Sequence, residues 1–510
     1  MHKQIMETMI HTAALDHRSF VQAGASDPSV CSTQATSAPS GRGWQRGLAA
    51  LALWAMLPAS AQAAALDGSQ LSVLWGVPFA GILLSIAVWP LVGPHFWHHH
   101  FGKIAAAWAL AFLVPFAAIY GPSLTAYGLV HALVAEYIPF ILLLTALFAV
   151  SGGIYIRGNL HGSPLLNTSI LAVGAVLASF MGTTGASMLL IRPLIRANDN
   201  RKHNAHVIVF FIFIVSNIGG SLTPLGDPPL FLGFLKGVTF FWTVGQIVWD
   251  TLFLVGTLLA IFFVLDTYLY AKEGVERADP TPDNHRFGFE GGRNFVLLVA
   301  IVGLVLMSGL WRSGVVFNIY GTELTLQALL RDVGLIAVIF TSLAITPDSV
   351  HASNQFSWDP MKEVAKLFAG IFLTIIPVIA MLQAGTNGPF GAVVRAVTNA
   401  DGTPNPAMYF WATGVLSPFL DNAPTYLVFF NTAGGDPVHL MGPLANTLAA
   451  ISAGAVFMGA NSYIGNAPNL MVKAIAEDRG VKMPSFFGYM AWSGGILVPL
   501  FVVVTFLFFR

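Results

Sequence analysis

Apolar residues run along this chain in continuous stretches of about twenty, without the alternation typical of half-buried strands. These stretches lie near residues 70–93, 104–120, 125–150, 205–235, 242–271, 294–312, 324–346, 363–385, 444–472 and 485–509. A helix of about 20 residues crosses roughly 30 Å of hydrocarbon, and a continuously apolar segment satisfies its backbone in lipid only as a helix. The pattern therefore predicts an all-α polytopic membrane protein whose surroundings are a lipid bilayer.

Two further apolar stretches do not fit single crossings. Residues 165–198 and 388–432 each contain two shorter helical segments, which flank a polar break at 182–187 and at 421–425, respectively. A half-length segment followed by a break and a second half-length segment can enter and leave the membrane on one side. We therefore expect each stretch to form a re-entrant helical hairpin.

Composition agrees with a membrane location. Hydrophobic residues make up 55% of the 510 residues and charged residues 9%, whereas a soluble domain carries about 25% charged residues. The formal net charge of zero gives no support to a nucleic-acid partner. The single cysteine, Cys31, excludes an intrachain disulfide and a cysteine-based metal site. The 50 glycines and 29 prolines fit closely packed and interrupted membrane helices.

The N-terminus has the pattern of a secretory signal peptide. Residues 1–43 are a polar extension, which would fit a misassigned start codon, and residues 44–63 contain Arg46, an apolar core and the sequence Ala61-Gln62-Ala63. A basic region, a short apolar core and a small-x-small site are the features of a cleaved signal. The alternative is a weak first membrane helix.

Basic residues divide unequally between the two ends of the predicted helices. If each hairpin enters and leaves the membrane on the same side, most lysines and arginines from Lys103 to Lys482 lie on one face of the membrane. The opposite face receives Lys236, Arg312, Arg331, Arg395 and Arg510. Because positive residues stay in the cytoplasm, the first face is predicted to be cytoplasmic. The polar segment 272–293 is then a cytoplasmic linker between two transmembrane repeats, residues 64–271 and 294–510, which are inverted relative to each other.

One motif occurs in both halves. Residues 225–229, Leu-Gly-Asp-Pro-Pro, align with residues 464–468, Ile-Gly-Asn-Ala-Pro, and Gly182 precedes Asp227 by 45 positions just as Asp421 precedes Asn466. Proline in mid-span removes a backbone donor, and the freed groups are tolerated where they line a cavity or meet protein. Paired interrupted segments in two halves indicate a transport site; the alternative is a pair of packing kinks.

The run Ser-Asn-Ile-Gly-Gly-x-x-Thr-x-x-Gly-Asp-Pro-Pro at 216–229 resembles the signature of the ion transporter superfamily. That group includes bacterial sodium/proton antiporters, arsenite efflux pumps and sodium-coupled dicarboxylate and citrate carriers. The pattern from about residue 70 to 510, with Pro90 and the segment 95–100 (His-Phe-Trp-His-His-His), looks most like a bacterial family described either as sodium:proton antiporters or as citrate transporters. The resemblance implies a bacterial inner-membrane protein, usually a homodimer, with one re-entrant hairpin and one broken helix per repeat.

The resemblance also implies which residues contact the transported ions. They lie at the two hairpin tips and the two helix breaks: Thr183, Thr184 and Ser187; Asn217, Thr223, Gly226 and Asp227; Asp421, Asn422 and Thr425; Asn461, Ser462, Asn466 and Asn469. A sodium ion near Asp227 would be the transported or coupling ion, and no other cofactor is expected. The tips depart from the Ser-Asn-Thr of the dicarboxylate carriers, and Asn466 stands where the first repeat has Asp227. The two cation sites are therefore expected to be unequal.

Two transport functions fit these residues. A sodium/proton exchanger needs a membrane-buried carboxylate that binds either ion but not both, and Asp227 and Asp421 meet that need. A citrate carrier needs cationic contacts for three carboxylates, and Arg192 is the basic side chain expected near the core. We predict sodium/proton antiport by alternating access, with cation-coupled citrate transport as the alternative.

An enzyme is the contrasting class, and we do not expect one. Intramembrane catalysis needs a nucleophile with a base, or metal ligands, at depth. The histidines at 98–100 are expected in a short interfacial loop rather than in a metal site. Glu136, Asp250 and Asp266 lie deep in predicted spans but outside the breaks, so we interpret them as packing contacts.

Overall fold

The computed structural model describes residues 66–158, 160–274 and 288–510. The predicted extension, the signal peptide and most of the linker 272–293 lie outside these residues. The α-helices of the first half are α1 Val77–Val92, α2 Pro94–Tyr120, α3 Pro122–His131, α4 Ile138–Gly152, α5 Pro164–Met181, α6 Thr183–Ala197, α7 Ala205–Ile214, α8 Pro228–Leu235 and α9 Trp242–Ala271. A π-helical turn, Ala132–Tyr137, joins α3 to α4, and 3₁₀ turns lie at Gly68–Gln70, Val73–Gly76 and Ile218–Leu222.

The second half continues with further helices and two short strand pairs. The helices are α10 Asn294–Leu310, α11 Leu326–Ile345, α12 Asp348–Ser353, α13 Asp359–Thr374, α14 Ile376–Gln383, α15 Gly391–Ala396, α16 Pro406–Leu420, α17 Asn422–Thr432, α18 Pro437–Met441, α19 Ala445–Met458, α20 Ala467–Asp478 and α21 Phe486–Phe508, with 3₁₀ turns at Gly385–Asn387 and Gly459–Asn461. Strands β1 Tyr155–Arg157 and β2 Gly288–Glu290 pair antiparallel, as do β3 Val316–Ile319 and β4 Thr322–Thr325.

The helices confirm an all-α polytopic membrane protein. Among the described residues, eight helical segments are long and apolar enough to cross a bilayer. A ninth crossing results if α13 and α14, which are bent by 44° at their junction, count as one span. Pro377 lies at the start of α14, and a proline removes a backbone hydrogen bond of the preceding turn, which accounts for the bend.

Two predictions about local structure are wrong. The second hairpin begins at Pro406 rather than near 388, because Asn399 and Asp401 close a polar turn with Thr403 and the helix starts only after Asn405, which caps it. The histidines at 98–100 are not in a loop: α2 begins at Pro94 and includes them. Proline is favoured at the first helical position, so the helix can start there.

The interrupted helices lie at the centre of the protein rather than at its lipid-facing surface. Every residue of α7 from His206 to Ile214 is buried, as is all of α19 from Thr447 to Met458. By contrast, only five residues of α2 and five of α21 are buried. Helix breaks leave backbone groups that lipid cannot satisfy, so placing both broken helices inside the protein removes that cost.

A buried ionic cluster fixes the base of the first hairpin. The Asp266 carboxylate accepts from Arg201 Nη2 at 2.6 Å and from Asn167 Nδ2 at 3.0 Å, and its Oδ1 lies 2.8 Å from His206 Nε2. The Arg201 and Asp266 side chains are 3% and 0% exposed. Breaking a buried ion pair by removing one partner costs about 3–5 kcal/mol. Asp266 therefore holds α5, α7 and α9 together.

Candidate functional site

The two hairpin tips have the same backbone geometry. Gly182 joins α5 to α6 with φ 79° and ψ 150°, and Asp421 joins α16 to α17 with φ 71° and ψ 144°. Asp421 follows Gly182 by 239 positions. A non-glycine residue with positive φ costs about 1–3 kcal/mol and persists where its surroundings require it. The aspartate at the second tip is thus placed where the first repeat uses glycine.

The two helix breaks also match. Asp227 has φ −140° and ψ 142°, and Asn466, again 239 positions later, has φ −156° and ψ 141°. In each case a proline in the first turn starts the next helix, α8 or α20. Extended backbone followed by a proline at the helix start ends the hydrogen-bond ladder at one defined residue. The local geometry of the breaks therefore follows from the shared motif.

A hydroxyl group joins each break to its own hairpin. Thr223 donates to the carbonyl of Ser179, and Ser462 donates to the carbonyl of Pro418 at 2.5 Å. Both acceptors lie in the last turn before a hairpin tip. Thr223 and Ser462 are thus bound to backbone, so in this structure they fix the breaks and do not face Asp227.

The glycines within the breaks permit close backbone contact. A Cβ atom on Gly226 would overlap the carbonyl of Gly220, and one on Gly465 would overlap Gly459. The Gly226 carbonyl also accepts from the backbone N–H of Thr183 at 2.8 Å. Gly226 therefore holds the first break directly against the first hairpin tip.

Asp227 lies where the hairpin tips and the second break meet. Its Oδ1 accepts from Thr183 Oγ1 at 3.1 Å and from Asn466 Nδ2 at 3.2 Å, while its Oδ2 accepts from Asn422 Nδ2 at 2.5 Å. The Asp227 side chain is 1% exposed. All three donors are uncharged, so the carboxylate is hydrogen-bonded but these partners do not neutralise its charge.

Asn422 leaves one buried oxygen without a donor. Its Nδ2 is bound to Asp227, and its Oδ1 has no hydrogen-bond partner within the described part of the chain, although the side chain is fully buried. An unsatisfied buried acceptor costs about 1–3 kcal/mol. An oxygen in this position, on a side chain that contacts a buried carboxylate, suits a cation ligand.

A hydrogen bond between two asparagines joins the two halves of the chain. Asn217 Nδ2 donates to Asn469 Oδ1 at 2.7 Å, and Asn469 Nδ2 donates to the carbonyls of Gly459 and Ser462 at 3.0 and 2.9 Å. Asn217 and Asn469 are both fully buried. These two predicted residues therefore satisfy the backbone that the helix breaks expose.

Two cavities adjoin the site. The smaller, of about 90 Å³, is lined by Thr183, Thr184, Asp227, Asp421 and Asn466, among others. A water molecule occupies about 30 Å³ of liquid, so this space accommodates a small ion with few waters. The larger cavity, of about 490 Å³, shares Asp421 and Asn466 with the smaller one and extends to Arg192, His98 and Asp359.

The Asp421 side chain faces these two cavities and is not directed at the Asp227 carboxylate. Its Oδ1 accepts from the backbone N–H of Ala423 at 3.2 Å, and its carbonyl accepts from Thr425 Oγ1 at 2.7 Å. Its side chain is partly buried. Thr425 is thus a backbone contact of the tip, and the Asp421 carboxylate is the acidic group of the site with access to the larger cavity.

Ser187 and Asn461, two further predicted residues, also lie outside the immediate contacts of Asp227. The hydroxyl groups of Ser187 and Ser216 are 2.9 Å apart, and the carbonyl of Ser216 accepts from Asn466 Nδ2 at 3.2 Å. Asn461 offers its carbonyl to Ser493 at 2.8 Å, and its Oδ1 has no hydrogen-bond partner among the described residues. The structure therefore does not bring Asn461 to the Asp227 carboxylate.

Arg192 lines the larger cavity at a distance from the tips. Its side chain is 7% exposed, its Nη2 contacts Gln355 Oε1 at 3.4 Å, and its Nε and Nη1 have no hydrogen-bond partner in the residues described. The charged side chains that act on it are Arg479, Asp478 and Arg196. Its cation is therefore not neutralised by Asp227 or Asp421, and two donors remain available to an anion.

The remaining chemistry of the site is that of oxygen and amide ligands. Within the described ranges, no group of three or more His, Cys, Asp or Glu residues could hold a metal ion. Sequence reasoning missed Ser179 and Ser216, which take part mainly through their carbonyl groups. A residue that acts through its backbone carbonyl leaves no signal in the sequence. Ser179, however, lies at the same spacing from the first break as Pro418 does from the second, and that match could have indicated it.

Comparisons with known proteins identify the class. The model of a family described as "Putative citrate transport" matches residues 68–509. Two curated relatives, uncharacterized transporters from Mycobacterium bovis and Mycobacterium tuberculosis, are each 26% identical to this chain over 355 residues, which is 68% of this chain and 76% of theirs. The family and the two relatives are transporters. This chain is accordingly a multi-pass membrane transporter that belongs to the family described as "Putative citrate transport".

Proposed function

We propose that the protein exchanges sodium for protons across the bacterial inner membrane. The observation behind this proposal is the buried Asp227 carboxylate next to Asn422, whose Nδ2 donates to that carboxylate and whose Oδ1 has no hydrogen-bond partner among the described residues. A charged carboxylate without a counter-ion is costly to bury. Asp227 therefore binds either a proton or a cation, and a group that can bind only one of the two at a time couples their movements.

The ligands for a desolvated sodium ion are present around Asp227. Thr183 supplies a hydroxyl oxygen, and Asn422 and Asn466 each present an amide oxygen to the carboxylate after rotation about the terminal bond, because their Nδ2 atoms face it in this structure. These are hard oxygen ligands, which suit a small monovalent cation better than a soft metal. When a proton replaces sodium, the same amides return to donating hydrogen bonds.

Alternating access follows from the arrangement of the two repeats. Helix α8 of the first half packs against α17 of the second hairpin, and α20 of the second half packs against α6 of the first hairpin. Each hairpin thus supports the broken helix of the other repeat. With the repeats inverted, the two hairpins would close the site from opposite faces, and relative movement of the helices would expose it to one face at a time.

The test is a flux assay on purified protein in proteoliposomes with a trapped pH-sensitive dye. An imposed sodium gradient is expected to drive proton movement in the opposite direction, and an equal potassium gradient serves as the ionic control. Protein-free liposomes give the background. A sodium gradient that moves no protons above that background would contradict the antiport proposal.

Cation-coupled citrate transport is the second candidate, and two observations favour it. Arg192 has two unpartnered nitrogen atoms in a cavity of about 490 Å³, and the family description names citrate. A charge-assisted hydrogen bond contributes about 1.5–3 kcal/mol. We expect Arg192→Gln to lower citrate uptake by about 10-fold to 100-fold if citrate is carried, without changing sodium-driven proton movement.

A matched control for Arg192 is Lys473→Gln, which removes a half-buried positive charge that pairs with Glu477. The control variant should retain full activity in both assays. If Arg192→Gln reduced proton movement as much as citrate uptake, Arg192 would stabilise the structure and not bind an anion. No citrate uptake by the unmodified protein would remove this candidate.

The charge distribution predicts the orientation of the loops. After replacement of Cys31 by serine, single cysteines at positions 282 and 435 are treated in intact cells with a maleimide that does not cross the membrane. We expect labelling at 435, in the predicted periplasmic loop 433–443, and none at 282, in the predicted cytoplasmic linker. Labelling at 282 but not at 435 would reverse the proposed orientation.

A further inference from the structure

A π-helical turn interrupts the long helical segment Pro122–Gly152. The turn comprises Ala132–Tyr137 and contains Glu136, whose side chain is almost fully buried. π-helical turns are rare and often lie at functional sites. The extra residue widens the helix locally and allows a side chain to leave the regular helical spacing. Glu136 lies within this widened turn.

Glu136 forms an ion pair with the end of the broken helix. Its Oε1 contacts Lys236 Nζ, and Lys236 follows the last residue of α8. Asp227 caps the opposite end of the same helix. Since α8 has eight residues and a helix rises 1.5 Å per residue, it is about 12 Å long and transmits movement of one end to the other. The ion pair therefore holds the far end of the helix that positions Asp227.

A cavity of about 260 Å³, lined by apolar as well as polar side chains, adjoins this ion pair. Its lining includes Glu136, Lys236, His131, Thr125 and Gln383. At about 30 Å³ per water molecule, it can contain roughly eight waters. Each charge of the pair can thus be solvated in place after separation, which lowers the desolvation cost that makes a dry ion pair hard to open.

A contrast with the buried Arg201–Asp266 ion pair supports this interpretation of the Glu136–Lys236 pair. Arg201 and Asp266 are 3% and 0% exposed, and Asp266 has further contacts to His206 and Asn167. The Lys236 and Glu136 side chains are 23% and 9% exposed. The Arg201–Asp266 pair is therefore enclosed by partners that fix it, whereas the Lys236–Glu136 pair borders a cavity into which Lys236 can move.

We propose that Glu136 and Lys236 are positioning residues that hold α8 in the conformation described and separate during each transport cycle. Movement of α8 then changes the position of Asp227 relative to the hairpin tips. The proposal requires that the protein transports by moving α8, and it does not depend on whether the ion carried is sodium, a proton or citrate.

A cross-link between the two positions tests the proposal. The variant Glu136→Cys/Lys236→Cys, with Cys31 replaced by serine, is treated in proteoliposomes with a short bifunctional thiol reagent that a reductant can cleave. We expect the cross-link to lower transport at least about 10-fold and the reductant to restore it. Proton and citrate fluxes are both measured. For whichever substrate is transported, the result is the ratio of the flux with the cross-link in place to the flux after the reductant.

The control is Asn318→Cys/Glu323→Cys, which joins two opposed residues of the exposed β3–β4 pair and should tolerate the same treatment without loss. Cross-linked protein that transports at the rate of the reduced sample would show that the pair stays closed, and the proposal would fail. If the double-cysteine variant is inactive before treatment, the charge-exchanged variant Glu136→Lys/Lys236→Glu decides. The charge-exchanged variant should restore the turnover that the single variant Glu136→Lys loses, with an unchanged substrate constant. If the charge-exchanged protein is present in the membrane at the normal level and turnover is not restored, the proposal is refuted.

Discussion

Replacing Asp227 by asparagine is expected to abolish sodium-dependent proton movement in everted membrane vesicles while leaving the protein in the membrane. Asparagine keeps the shape of the side chain and can still hydrogen-bond to Thr183 and Asn466. It cannot exchange a proton for a cation, because it carries no charge. We expect a loss of at least about 100-fold, since an essential coupling group would be removed rather than weakened.

Asp250→Asn is the matched control for this variant. Asp250 is also a buried aspartate within a membrane helix, α9, with 2% of its surface exposed, but it lies outside both breaks. Its replacement should leave transport near the rate of the unmodified protein. A normal rate in Asp227→Asn would exclude Asp227 as the coupling residue, and equal losses in both variants would indicate a general effect of removing buried charge.

Replacing Asp421 by asparagine is expected to weaken the dependence of sodium affinity on pH, while the competition between sodium and protons at Asp227 remains. In the unmodified protein a proton bound to Asp421 would exclude sodium, so the apparent sodium constant should rise as pH falls. Asp421 borders both cavities, and its carboxylate accepts a hydrogen bond from the backbone N–H of Ala423. The measurement is the apparent sodium constant of proton movement at a series of pH values between roughly pH 6 and 9.

Asp421→Gly separates the charge from the backbone conformation. Gly182 holds the matching position at nearly the same φ, 79° against 71°, so glycine removes the carboxylate and relieves the strain of positive φ at once. We expect this variant to fold normally and to weaken the pH dependence as much as Asp421→Asn does. An unchanged pH dependence in both variants would reduce Asp421 to a capping residue, and a profile that responds to citrate but not to sodium would favour the citrate alternative.

The helical breaks were predictable because their residues have few alternatives. Glycine at 182 and the prolines after Asp227 and Asn466 end helices for local steric reasons. Because these reasons depend only on neighbouring residues, they can be predicted from the sequence. The start of the second hairpin was not predictable in this way. Apolar residues continue upstream of Pro406, and the polar turn around Asp401 that separates them depends on hydrogen bonds between residues that sequence spacing does not pair.

The contacts of Asp227 show where sequence reasoning about the site stops. The spacing of the motifs indicated that Asp227, Asn422 and Asn466 belong to one site, but their mutual hydrogen bonds join positions about 200 residues or more apart. Asn461 illustrates the opposite case, since it shares the motif but its carbonyl accepts from Ser493 and it makes no hydrogen bond to the Asp227 carboxylate. The positions of the motifs therefore predicted the region around Asp227. Which side chains contact its carboxylate depends on the three-dimensional packing.

Glu136 was interpreted from the sequence as a packing contact, because it lies outside the breaks. The structure instead pairs it with Lys236 at the end of a broken helix. A π-helical turn has no reliable sequence signal, and the ion pair joins residues 100 positions apart. Neither feature could be derived from hydrophobic periodicity, which describes helical faces but not the partner that a face meets.

Binding of radioactive sodium to the purified protein tests most directly whether Asp227 forms a site at which sodium and protons compete. Saturable binding is measured in detergent at about pH 8.5 and about pH 6, near the ends of the range in which such a carboxyl group would titrate, for the unmodified protein, Asp227→Asn and Asp250→Asn. We expect the unmodified protein and Asp250→Asn to bind sodium tightly at the higher pH and weakly at the lower, and Asp227→Asn to bind none at either. Saturable sodium binding by Asp227→Asn with the affinity of the unmodified protein would contradict the proposed site.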